Sequence, residues 1–374
     1  MRTWAEVDLD AIESNIKNIR KITDKKAKVM AIVKADAYGH GCIETAKVLE
    51  KNGADCFGVA TFEEAVRLRE NGFLQDILVL STVPVEDIES AVIKNITLTV
   101  FTLSYAELVS KAAQKNGIDA KVHIKLDTGM GRIGYVVSDS DNSGIVSEIV
   151  SVSKLSNIFV EGIFSHFSTS DEKDGEYTRL QFKRFMRICE ALKEKGLDIP
   201  IKHIANSGAI IMYPEYHLDM VRAGIILYGL YPSDEVDKEK LSLVPAMTLK
   251  SKITCIKDLE ENRGISYGKE YITDSVRKIA TVPVGYGDGY VRSYAKDGEM
   301  IVNGEKVKIV GRICMDQCMI DITNVHNINI GDEVIIFSDK QITADSLAKI
   351  SGTINYEVVC MISKRVPRIY KRGR

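Results

Sequence analysis

The sequence predicts an α/β protein with an N-terminal (β/α)8 TIM-type barrel and a C-terminal domain that is mainly β. Three observations support this fold class. Over about the first 230 residues, short apolar runs alternate about eight times with helix-like segments, which is typical of parallel strands covered by helices. The runs are apolar on both faces, as the strands of a closed barrel are. Beyond about residue 240, helical periodicity nearly vanishes and short alternating runs replace it.

Each predicted barrel strand is an apolar, β-branched run. The clearest helices between them are 62–72, which stops at a glycine, and 176–196, where apolar residues recur every three or four positions. An open sheet could account for six such units, but eight units of this size fit a closed barrel better. The strand runs lie at 28–35, 55–61, 76–82, 96–102, 121–127, 158–165, 200–205 and 218–228.

The C-terminal domain is predicted from short β runs separated by turn residues. Asn303-Gly304 lies between two such runs and is a strong hairpin signal. The charged segment L-Y-P-S-D-E-V-D-K-E-K near 230–240 marks the boundary. We therefore expect a barrel domain at 1–238, whose first few residues are able to pack with the β domain, and a β domain at 239–374.

Composition narrows the class of protein. The 374 residues carry a net charge of −2, which argues against nucleic-acid binding. The N-terminus has no apolar signal region, and no apolar run approaches the roughly 18 residues of a membrane span. The seven cysteines are scattered and suit reduced thiols. Cys314 and Cys318 lack further metal ligands nearby, so we expect a cytoplasmic enzyme without a metal site.

Polar residues stand where the predicted barrel strands end. In (β/α)8 barrels the loops after the strands carry the chemistry, so these residues are expected to converge on one barrel mouth. The polar residues are Lys34, Arg132, His166, Asn206, Ser207 and Arg222, and the last strand also leads to Gly224 and Ile225 in the segment V-R-A-G-I.

Several of these residues also have an ordinary interpretation. Lys34 could be a surface lysine, His166 a histidine under a loop, and Asn206 a simple helix cap. Arg222, inside an apolar strand, is harder to explain, because a buried guanidinium needs acceptors. The motif G-x-G-x-x-G at 129–134 resembles a dinucleotide-binding turn. It opens no clear helix and follows the fifth strand rather than the first, so we do not expect a nicotinamide site.

The converging residues suit pyridoxal phosphate. A lysine at a barrel mouth can form a Schiff base with the cofactor aldehyde. The glycine-bearing segments N-S-G-A and A-G-I offer amide and hydroxyl donors for a phosphate. An arginine facing the pyridine nitrogen stays protonated and would leave that nitrogen unprotonated.

At this point the chain resembles the alanine racemase family of pyridoxal-phosphate enzymes (fold type III). The motif V-K-A-D-A-Y-G-H-G is similar to the family's cofactor-lysine signature. The other matching segments are spread over essentially the whole chain, and they occur in the family's order. These segments are K-L-D-T-G-M-G-R-I-G, F-S-H-F-S-T-S-D-E, N-S-G-A, V-R-A-G-I-I-L-Y-G, I-S-Y-G, V-G-Y-G-D-G-Y, G-R-I-C-M-D-Q and I-N-Y-E-V.

The resemblance implies an isomerase that interconverts L-alanine and D-alanine with two bases. Lys34 would carry the cofactor and remove the α-proton of D-alanine, and Tyr267 would act on L-alanine. Arg222, supported by His166, would face the pyridine nitrogen. The implied cofactor ligands also include Tyr38, Asn206, Ser207, Gly224, Ile225 and Tyr356.

The resemblance also implies how substrate and partner bind. Arg132 and the N–H of Met315 would hold the substrate carboxylate, with Lys125 matching a position that is a carbamylated lysine in some members. Tyr267, Tyr286 and Met315 would reach the site from a second subunit, in a homodimer with composite sites. Asp316, beside Met315, is a supporting residue, while Asp36 and His40 have no role that the motifs supply.

Other functions remain open on the sequence. A serine or broad-specificity racemase could share the scaffold, although Tyr356 favours a small pocket and alanine. A barrel decarboxylase should lack a tyrosine in an I-S-Y-G context. A non-catalytic cofactor carrier would not need the β domain with Tyr267 and Met315. For a bacterial protein, the implied purpose is to supply D-alanine for cell-wall peptidoglycan.

Overall fold

Each of the eight apolar runs that predict the barrel forms a strand in the computed structural model, which describes residues 1–373. The strands are β1 Thr3–Asp8, β2 Lys28–Ile32, β3 Cys56–Val59, β4 Ile77–Val79, β5 Leu98–Val100, β6 Ala120–Asp127, β7 Tyr135–Val136, β8 Ile158–Phe164, β9 Ile201–His203, β10 Met220–Ala223, β11 Met247–Lys252, β12 Cys255–Leu259, β13 Gly264–Ile265, β14 Tyr271–Ile272, β15 Arg277–Val282, β16 Glu299–Val302, β17 Glu305–Lys308, β18 Cys318–Asp321, β19 Glu333–Phe337 and β20 Arg368–Lys371.

Helices lie before and between the barrel strands and near the end of the described chain. They are α1 Leu9–Ile22, α2 Lys34–Tyr38, α3 Cys42–Asn52, α4 Phe62–Glu70, α5 Ile88–Ile93, α6 Leu103–Asn116, α7 Ser143–Ser153, α8 Glu176–Glu194, α9 Ser207–Met212, α10 Ala344–Ser351 and α11 Asn355–Cys360. Within residues 1–373, none of these helices has both the length and the apolar character needed to cross a bilayer.

Eight parallel strands close into a barrel, as predicted. They pair in two runs, β10-β2-β3-β4 and β5-β6-β8-β9. The N–H of Thr97 donates to the carbonyl of Ile77 at 2.9 Å, which joins β4 to β5. The N–H of Arg222 donates to the carbonyl of Ala205 at 3.0 Å, which joins β9 to β10. Closure therefore brings the C-terminal ends of all eight strands to one end of the barrel.

The chain divides into two units. The barrel unit comprises residues 13–37 and 42–243, and the β unit comprises 1–12, 38–41 and the chain from 244 onward. The expected boundary after residue 238 thus differs from the observed one by a few residues, and two N-terminal segments lie in the β unit. The first does so because β1 pairs with β11 antiparallel and with β20 parallel.

The β unit contains a six-stranded sheet in the order β17-β16-β19-β11-β1-β20, a three-stranded sheet β12-β15-β18 and the hairpin β13-β14. The predicted hairpin forms at Asn303-Gly304, where both residues have positive φ, 49° and 82°. These are the angles of the tight turns that Asn-Gly favours. Two short helices that periodicity did not indicate, α10 and α11, complete the unit, and Thr343 is the N-cap of α10.

Candidate active site

Basic side chains gather at the C-terminal end of the barrel strands. Lys34 begins α2 just after β2, Lys125 lies near the end of β6, Arg132 follows β6, His166 follows β8 and Arg222 lies in β10. We call these five residues the barrel-mouth cluster. Burial lowers the pKa of His166 well below its usual value, and the charges of Arg222, Lys125, Arg132 and Lys34 lower it further. So many cations within interaction range make the barrel mouth suited to an anionic ligand.

The turn that carries Lys34 is left-handed. Residues 35–38 all have φ between 51° and 57° although none is glycine, a conformation that costs about 1–2 kcal/mol per residue. Side-chain contacts offset this cost. Glu64 Oε1 accepts from the N–H of Ala35 at 2.6 Å. Asp36 Oδ1 accepts from the N–H of Cys42 at 2.9 Å and from Arg67 at 2.8 Å.

These contacts supply the role for Asp36 that the motif left open. Its carboxylate fastens the left-handed turn to the start of α3 and to Arg67 of α4. His40, which is fully buried in the β unit, lies with Nδ1 at 3.0 Å from the carbonyl oxygen of Tyr38. Both residues therefore shape the backbone around Lys34 and Tyr38.

Arg222 is a buried cation whose acceptors are all neutral. It is 4% exposed. Its guanidinium donates to His203 Nδ1 at 2.9 Å and to His166 Nδ1 at 3.1 Å. It also donates to the carbonyls of Ser165 at 2.7 Å and Ile204 at 3.0 Å. Burial, with the charge of Arg132, lowers the pKa of Arg222 to about 9, so the group is still protonated at neutral pH.

A chain of hydrogen bonds continues from Arg222 through the barrel interior, and we call it the histidine relay. His203 Nε2 lies 2.9 Å from His123 Nδ1, and His123 Nε2 lies 3.2 Å from Glu161 Oε2. Because Arg222 can only donate, His203 carries its proton on Nε2 and donates to His123, which donates in turn to Glu161. Glu161 is thus linked to Arg222 through two imidazoles.

Sequence reasoning missed the histidine relay. His123 and His203 are 2% and 0% exposed and sit inside apolar runs, K-V-H-I-K and P-I-K-H-I-A. The available signal was a polar residue at an inward position of a buried strand, which must find a hydrogen-bond partner. Burial lowers the pKa of His203 well below its usual range, and the charge of Arg222 adds to this effect.

The buried side-chain amine of Lys125 is an unusually weak base. It is 2% exposed, and its Nζ donates to the carbonyl of Leu126 at 2.9 Å. Burial lowers its pKa to about 7, with help from the charges of Arg222 and Arg132 and against that of Asp127. A large fraction of this amine is therefore unprotonated near neutral pH and able to act as a nucleophile.

The glycine-rich loop after β6 positions Arg132 rather than a dinucleotide. Asp127 Oδ1 accepts from the N–H groups of Gly129, Met130 and Gly131 at 2.9–3.1 Å. Its Oδ2 accepts from the N–H of Arg132 at 3.0 Å. Burial raises the pKa of Asp127, but these four donors outweigh it and hold the pKa below its ordinary value. The loop forms no helix.

The segments expected to bind a phosphate lie after β9 and β10. Asn206 caps α9, where its Oδ1 accepts from the N–H of Ala209 at 3.1 Å and from the hydroxyl of Ser170 at 2.6 Å. Ser207 Oγ accepts from the N–H of Gly224 at 3.0 Å, and Ile225 begins a 3-10 turn. The two segments are therefore joined directly, with hydroxyl and amide donors side by side.

Within the β unit, two of the expected phosphate ligands are neighbours. The rings of Tyr38 and Tyr356 have centroids 6.0 Å apart. Gly39 comes so close to α11 that a Cβ there would lie 2.3 Å from the carbonyl oxygen of Val359. Arg368 donates to the carbonyl of Gly39 at 2.8 Å. The segment 38–41 is thereby held against the helix that carries Tyr356.

The other expected site residues of the β unit lie on connected turns. Tyr267, Tyr286 and Met315 are 70%, 43% and 54% exposed, which is unusual for such large apolar side chains. The N–H of Tyr286 donates to the carbonyl of Cys314 at 3.1 Å. Ser266 Oγ, next to Tyr267, donates to the carbonyl of Arg312 at 2.7 Å. One loop, residues 311–317, thus carries Met315 and Asp316 and is bonded to the turns of Tyr267 and Tyr286.

The donor set of the barrel mouth fits pyridoxal phosphate. Lys34 offers a primary amine for an aldehyde, and the Arg222 guanidinium offers a donor for a ring nitrogen. Ser207 offers a hydroxyl donor and Ile225 an amide donor for a phosphate, while the N–H of Gly224 holds Ser207 in place. The weak base Lys125, the loop-held Arg132 and the cationic surroundings suit a ligand with a second acidic group, such as an amino-acid carboxylate.

Comparison with protein families agrees with this donor set. Residues 7–232 match the family described as "Alanine racemase, N-terminal domain", and residues 246–370 match "Alanine racemase, C-terminal domain". Together these matches cover nearly the whole chain.

Individual proteins are similar over their full length. The chain is 50% identical over 370 residues to an alanine racemase from Methanococcus maripaludis, covering 98% of each protein. It is 50% identical over 373 residues to one from Clostridium tetani, covering 99% of this chain and 95% of that protein.

Solved structures extend the similarity to the fold. Alanine racemase from Clostridium difficile 630 superposes with a TM-score of 0.96 at 47% identity, over 99% of this chain and 96% of that chain. The alanine racemase from Bacillus anthracis with bound L-Ala-P superposes with a TM-score of 0.92 at 37% identity, over 100% of this chain and 95% of that chain.

Proposed function

The chain belongs to the alanine racemase family of pyridoxal-phosphate-dependent isomerases, and we propose that Lys34 and Tyr267 are the two bases with which it interconverts L-alanine and D-alanine. The observation that carries this assignment is the barrel-mouth cluster, in which Lys34, just after β2, and the buried Arg222 both lower the pKa of His166. The acceptors of Arg222 are neutral. A racemase needs one base on each face of the substrate α-carbon, since one removes a proton and the other returns one.

Pyridoxal phosphate, when bound, supplies an electron sink for the negative charge that develops at the α-carbon. Lys34 would hold the cofactor covalently. The cofactor phosphate would be bound by Ser207, Gly224, Ile225, Tyr38 and Tyr356. Asn206 would support this site as the N-cap of α9. Arg222 would donate a hydrogen bond to the ring nitrogen without giving up its proton. A donor that keeps its proton limits electron withdrawal and so disfavours side reactions such as transamination.

The proton transfers are assigned to two atoms. Lys34 Nζ would remove the α-proton of D-alanine, and Tyr267 Oη would remove that of L-alanine. In each direction the other residue returns a proton to the opposite face. Arg132 and the N–H of Met315 would hold the substrate carboxylate and so keep the α-carbon between the bases.

We propose that Lys125 is carbamylated. Its pKa of about 7 leaves an amine lone pair free to add to carbon dioxide, giving a carbamate anion and releasing one proton. The product carries a negative charge beside Arg132, whose side chain it would orient. This step needs only dissolved carbon dioxide and a basic amine.

We further propose a homodimer in which Tyr267, Tyr286 and Met315 complete the partner's site, with Asp316 supporting Met315. The exposure of these three large side chains on connected turns supports their contact with a second subunit. Mixing provides a sharp test. Protomers with Lys34→Ala and protomers with Tyr267→Phe should each be inactive alone.

Equal mixing of the two variants after dissociation should restore about a quarter of wild-type activity, because half the dimers are mixed and each has one intact site. No recovery in verified mixed dimers would show that both residues come from one subunit.

The activity itself is tested by circular dichroism. Purified protein with pyridoxal phosphate should make the signal of L-alanine decay to zero as D-alanine accumulates. Comparing kcat/KM for L-alanine and L-serine tests the choice of substrate, and a serine value equal to or above that for alanine would overturn the preference for alanine. The seven scattered cysteines suit a reducing cytoplasmic location, where D-alanine would serve peptidoglycan synthesis in an organism that makes it.

A further inference from the structure

Asp288, in the motif V-G-Y-G-D-G-Y, is a buried carboxylate with two arginine partners. Its side chain is 1% exposed. Oδ1 accepts from Arg2 at 2.5 Å and from Arg365 Nε at 2.7 Å. Oδ2 accepts from the N–H of Gly285 at 3.0 Å. Neither the barrel nor the proposed chemistry uses this residue, yet an ionised carboxylate is this deeply buried only when its partners are firmly held.

Both arginines also bind the loop that carries Met315. Arg365 Nη2 pairs with Asp316 Oδ1 at 2.8 Å and contacts the carbonyl of Met315 at 3.4 Å. Arg2 Nη1 donates to the carbonyl of Asp316 at 3.3 Å. Asp288 is therefore the common partner of two guanidinium groups that also contact residues 315–316, while Arg2 donates in addition to the carbonyl of Pro283 at 3.0 Å.

The turn that contains Asp288 contacts the same loop through its backbone. The N–H of Gly287 donates to the carbonyl of Met315 at 2.9 Å. At Gly285, a Cβ would lie 2.2 Å from the carbonyl oxygen of Cys314 and 2.5 Å from that of Met315. Only glycine allows this approach. The 286–288 turn and the 314–316 loop are thus held at contact distance, with Asp288 beneath them.

We propose that Asp288 is a positioning residue that acts through Arg365 and Arg2. It fixes the peptide groups of Met315 and Asp316, and it thereby aims the Met315 N–H and the neighbouring Tyr286 at the substrate. This inference rests on the proposed function, because it gives Met315 and Tyr286 their place in the substrate site. Asp288 itself touches neither substrate nor cofactor.

Two variants test the proposal in the holoenzyme. Asp288→Asn keeps the shape of the side chain but cannot accept from Gly285 and from both arginines at once. Arg365→Gln changes a side chain that is 41% exposed, so it should fold even if the first variant does not. We expect kcat/KM for alanine to fall about 10- to 100-fold in each. Most of this loss should appear as a higher KM, while cofactor content stays at the wild-type level.

Glu6→Gln is the matched control. Glu6 also carries two cationic partners in the β unit, Lys371 at 2.7 Å and Lys250 at 3.2 Å, but it lies in β1 rather than beside the 311–317 loop. Its loss of charge should leave KM and kcat unchanged. Equal kinetics in Asp288→Asn, Arg365→Gln and Glu6→Gln, at wild-type level, would overturn the proposal.

A second measurement is independent of activity. The N–H groups of Tyr286 and Gly287 donate to the loop carbonyls, so their hydrogen exchange reports whether the loop stays in place. Exchange at these two amides should be faster in Asp288→Asn and Arg365→Gln than in Glu6→Gln. Unchanged exchange would refute the positioning role. A wild-type protein that does not racemise alanine would instead refute the proposed function, and the exchange result would still decide the role of Asp288.

Discussion

The barrel unit and the β unit each bury a charged side chain, but they treat the charge in opposite ways. In the barrel, Arg222 is surrounded by two imidazoles and two carbonyls. In the β unit, Asp288 binds two guanidinium groups directly. Neutral groups stabilise the charge of Arg222, namely these dipoles and the Phe164 ring, whose centroid lies 5.5 Å from the guanidinium carbon. The charge of Asp288 is instead paired with more opposite charge than it carries.

The two buried charges are therefore suited to different tasks. Arg222 can act on a ligand, whereas Asp288 can only keep its neighbours in place. A buried cation solvated by dipoles keeps an electrostatic field that can act on a ligand. A buried anion paired with two cations has its field cancelled nearby, and what remains is geometry. The carboxylate linked to Arg222 is Glu161, two imidazoles away. This separation lets the histidine relay orient Arg222 without neutralising it.

The largest effect is expected from removing the unpaired charge. Arg222→Met should lower kcat by about 10²–10³-fold, because one fixed donor at a site of developing charge contributes on this scale. The cofactor should remain covalently attached, as judged by its absorbance. Arg20→Met is the control, since Arg20 is a barrel arginine paired with Asp55 at 2.7 Å. Similar kcat losses in both variants would show that Arg222 contributes no more to catalysis than an ion-paired arginine elsewhere in the barrel.

The next effect concerns the stability that the buried carboxylate of Asp288 contributes to the β unit. Asp288→Asn should lower the free energy of unfolding by about 2 kcal/mol, because hydrogen bonds from two charged donors are weakened in a buried site. Glu6→Gln, whose carboxylate is 17% exposed, should lose much less. Denaturant titration of both variants measures the difference. An Asp288→Asn variant as stable as wild type would mean that this ion-pair cluster does not contribute to stability.

A smaller effect should follow from breaking the far end of the histidine relay. Glu161→Gln preserves an acceptor for His123 but removes the charge, and should lower kcat by about 10-fold, the lower end of the loss that removal of an indirect partner causes elsewhere. The absorbance of the bound cofactor should shift, since Arg222 is less firmly oriented. Asp76→Asn removes a carboxylate that pairs with Lys121 at 2.7 Å but lies outside the relay. Equal changes in kcat and in cofactor absorbance for both variants would exclude an effect of Glu161 on Arg222 through the two histidines.

The smallest effect concerns Lys125 and depends on pH. Its pKa is lowered to about 7, so the amine is mainly neutral above pH 7 and mainly protonated below it. Carbon dioxide adds only to the neutral form. With 13C-labelled bicarbonate, a carbamate NMR signal should therefore appear at about pH 8 and disappear at about pH 6. Activity should change only a few-fold. The signal should be absent in Lys125→Arg, and its persistence there would assign it to another amine.

Much of the fold could be predicted because its signals are local. All eight barrel strands, the helices α4 and α8 and the Asn303-Gly304 hairpin follow from periodicity and turn chemistry within a few residues. The assignment to the alanine racemase family, the (β/α)8 barrel with its β domain and the use of pyridoxal phosphate are confirmed by the full-length comparisons. The individual site residues remain predictions.

What could not be predicted depends on contacts between distant parts of the chain. The sequence allows the first few residues to pack with the β domain, but only the structure shows that β1 does so by pairing with β11 and β20. The short helices α10 and α11 bury too few residues to show a clear period. Asp36 gains its role from Arg67, 31 positions away.

The sequence by itself determined which chemical groups stand at the ends of the barrel strands, because strand and helix periods are properties of neighbouring residues. It determined in this way that Lys34, Arg132, His166 and Arg222 would share one end of the barrel. Only the tertiary structure decided the electrical state of these groups. Burial and neighbouring charges depend on residues that are far apart in the chain. They leave Arg222 a cation without an ionic partner and make Lys125 a weak base, and they pair the carboxylate of Asp288 with two arginines.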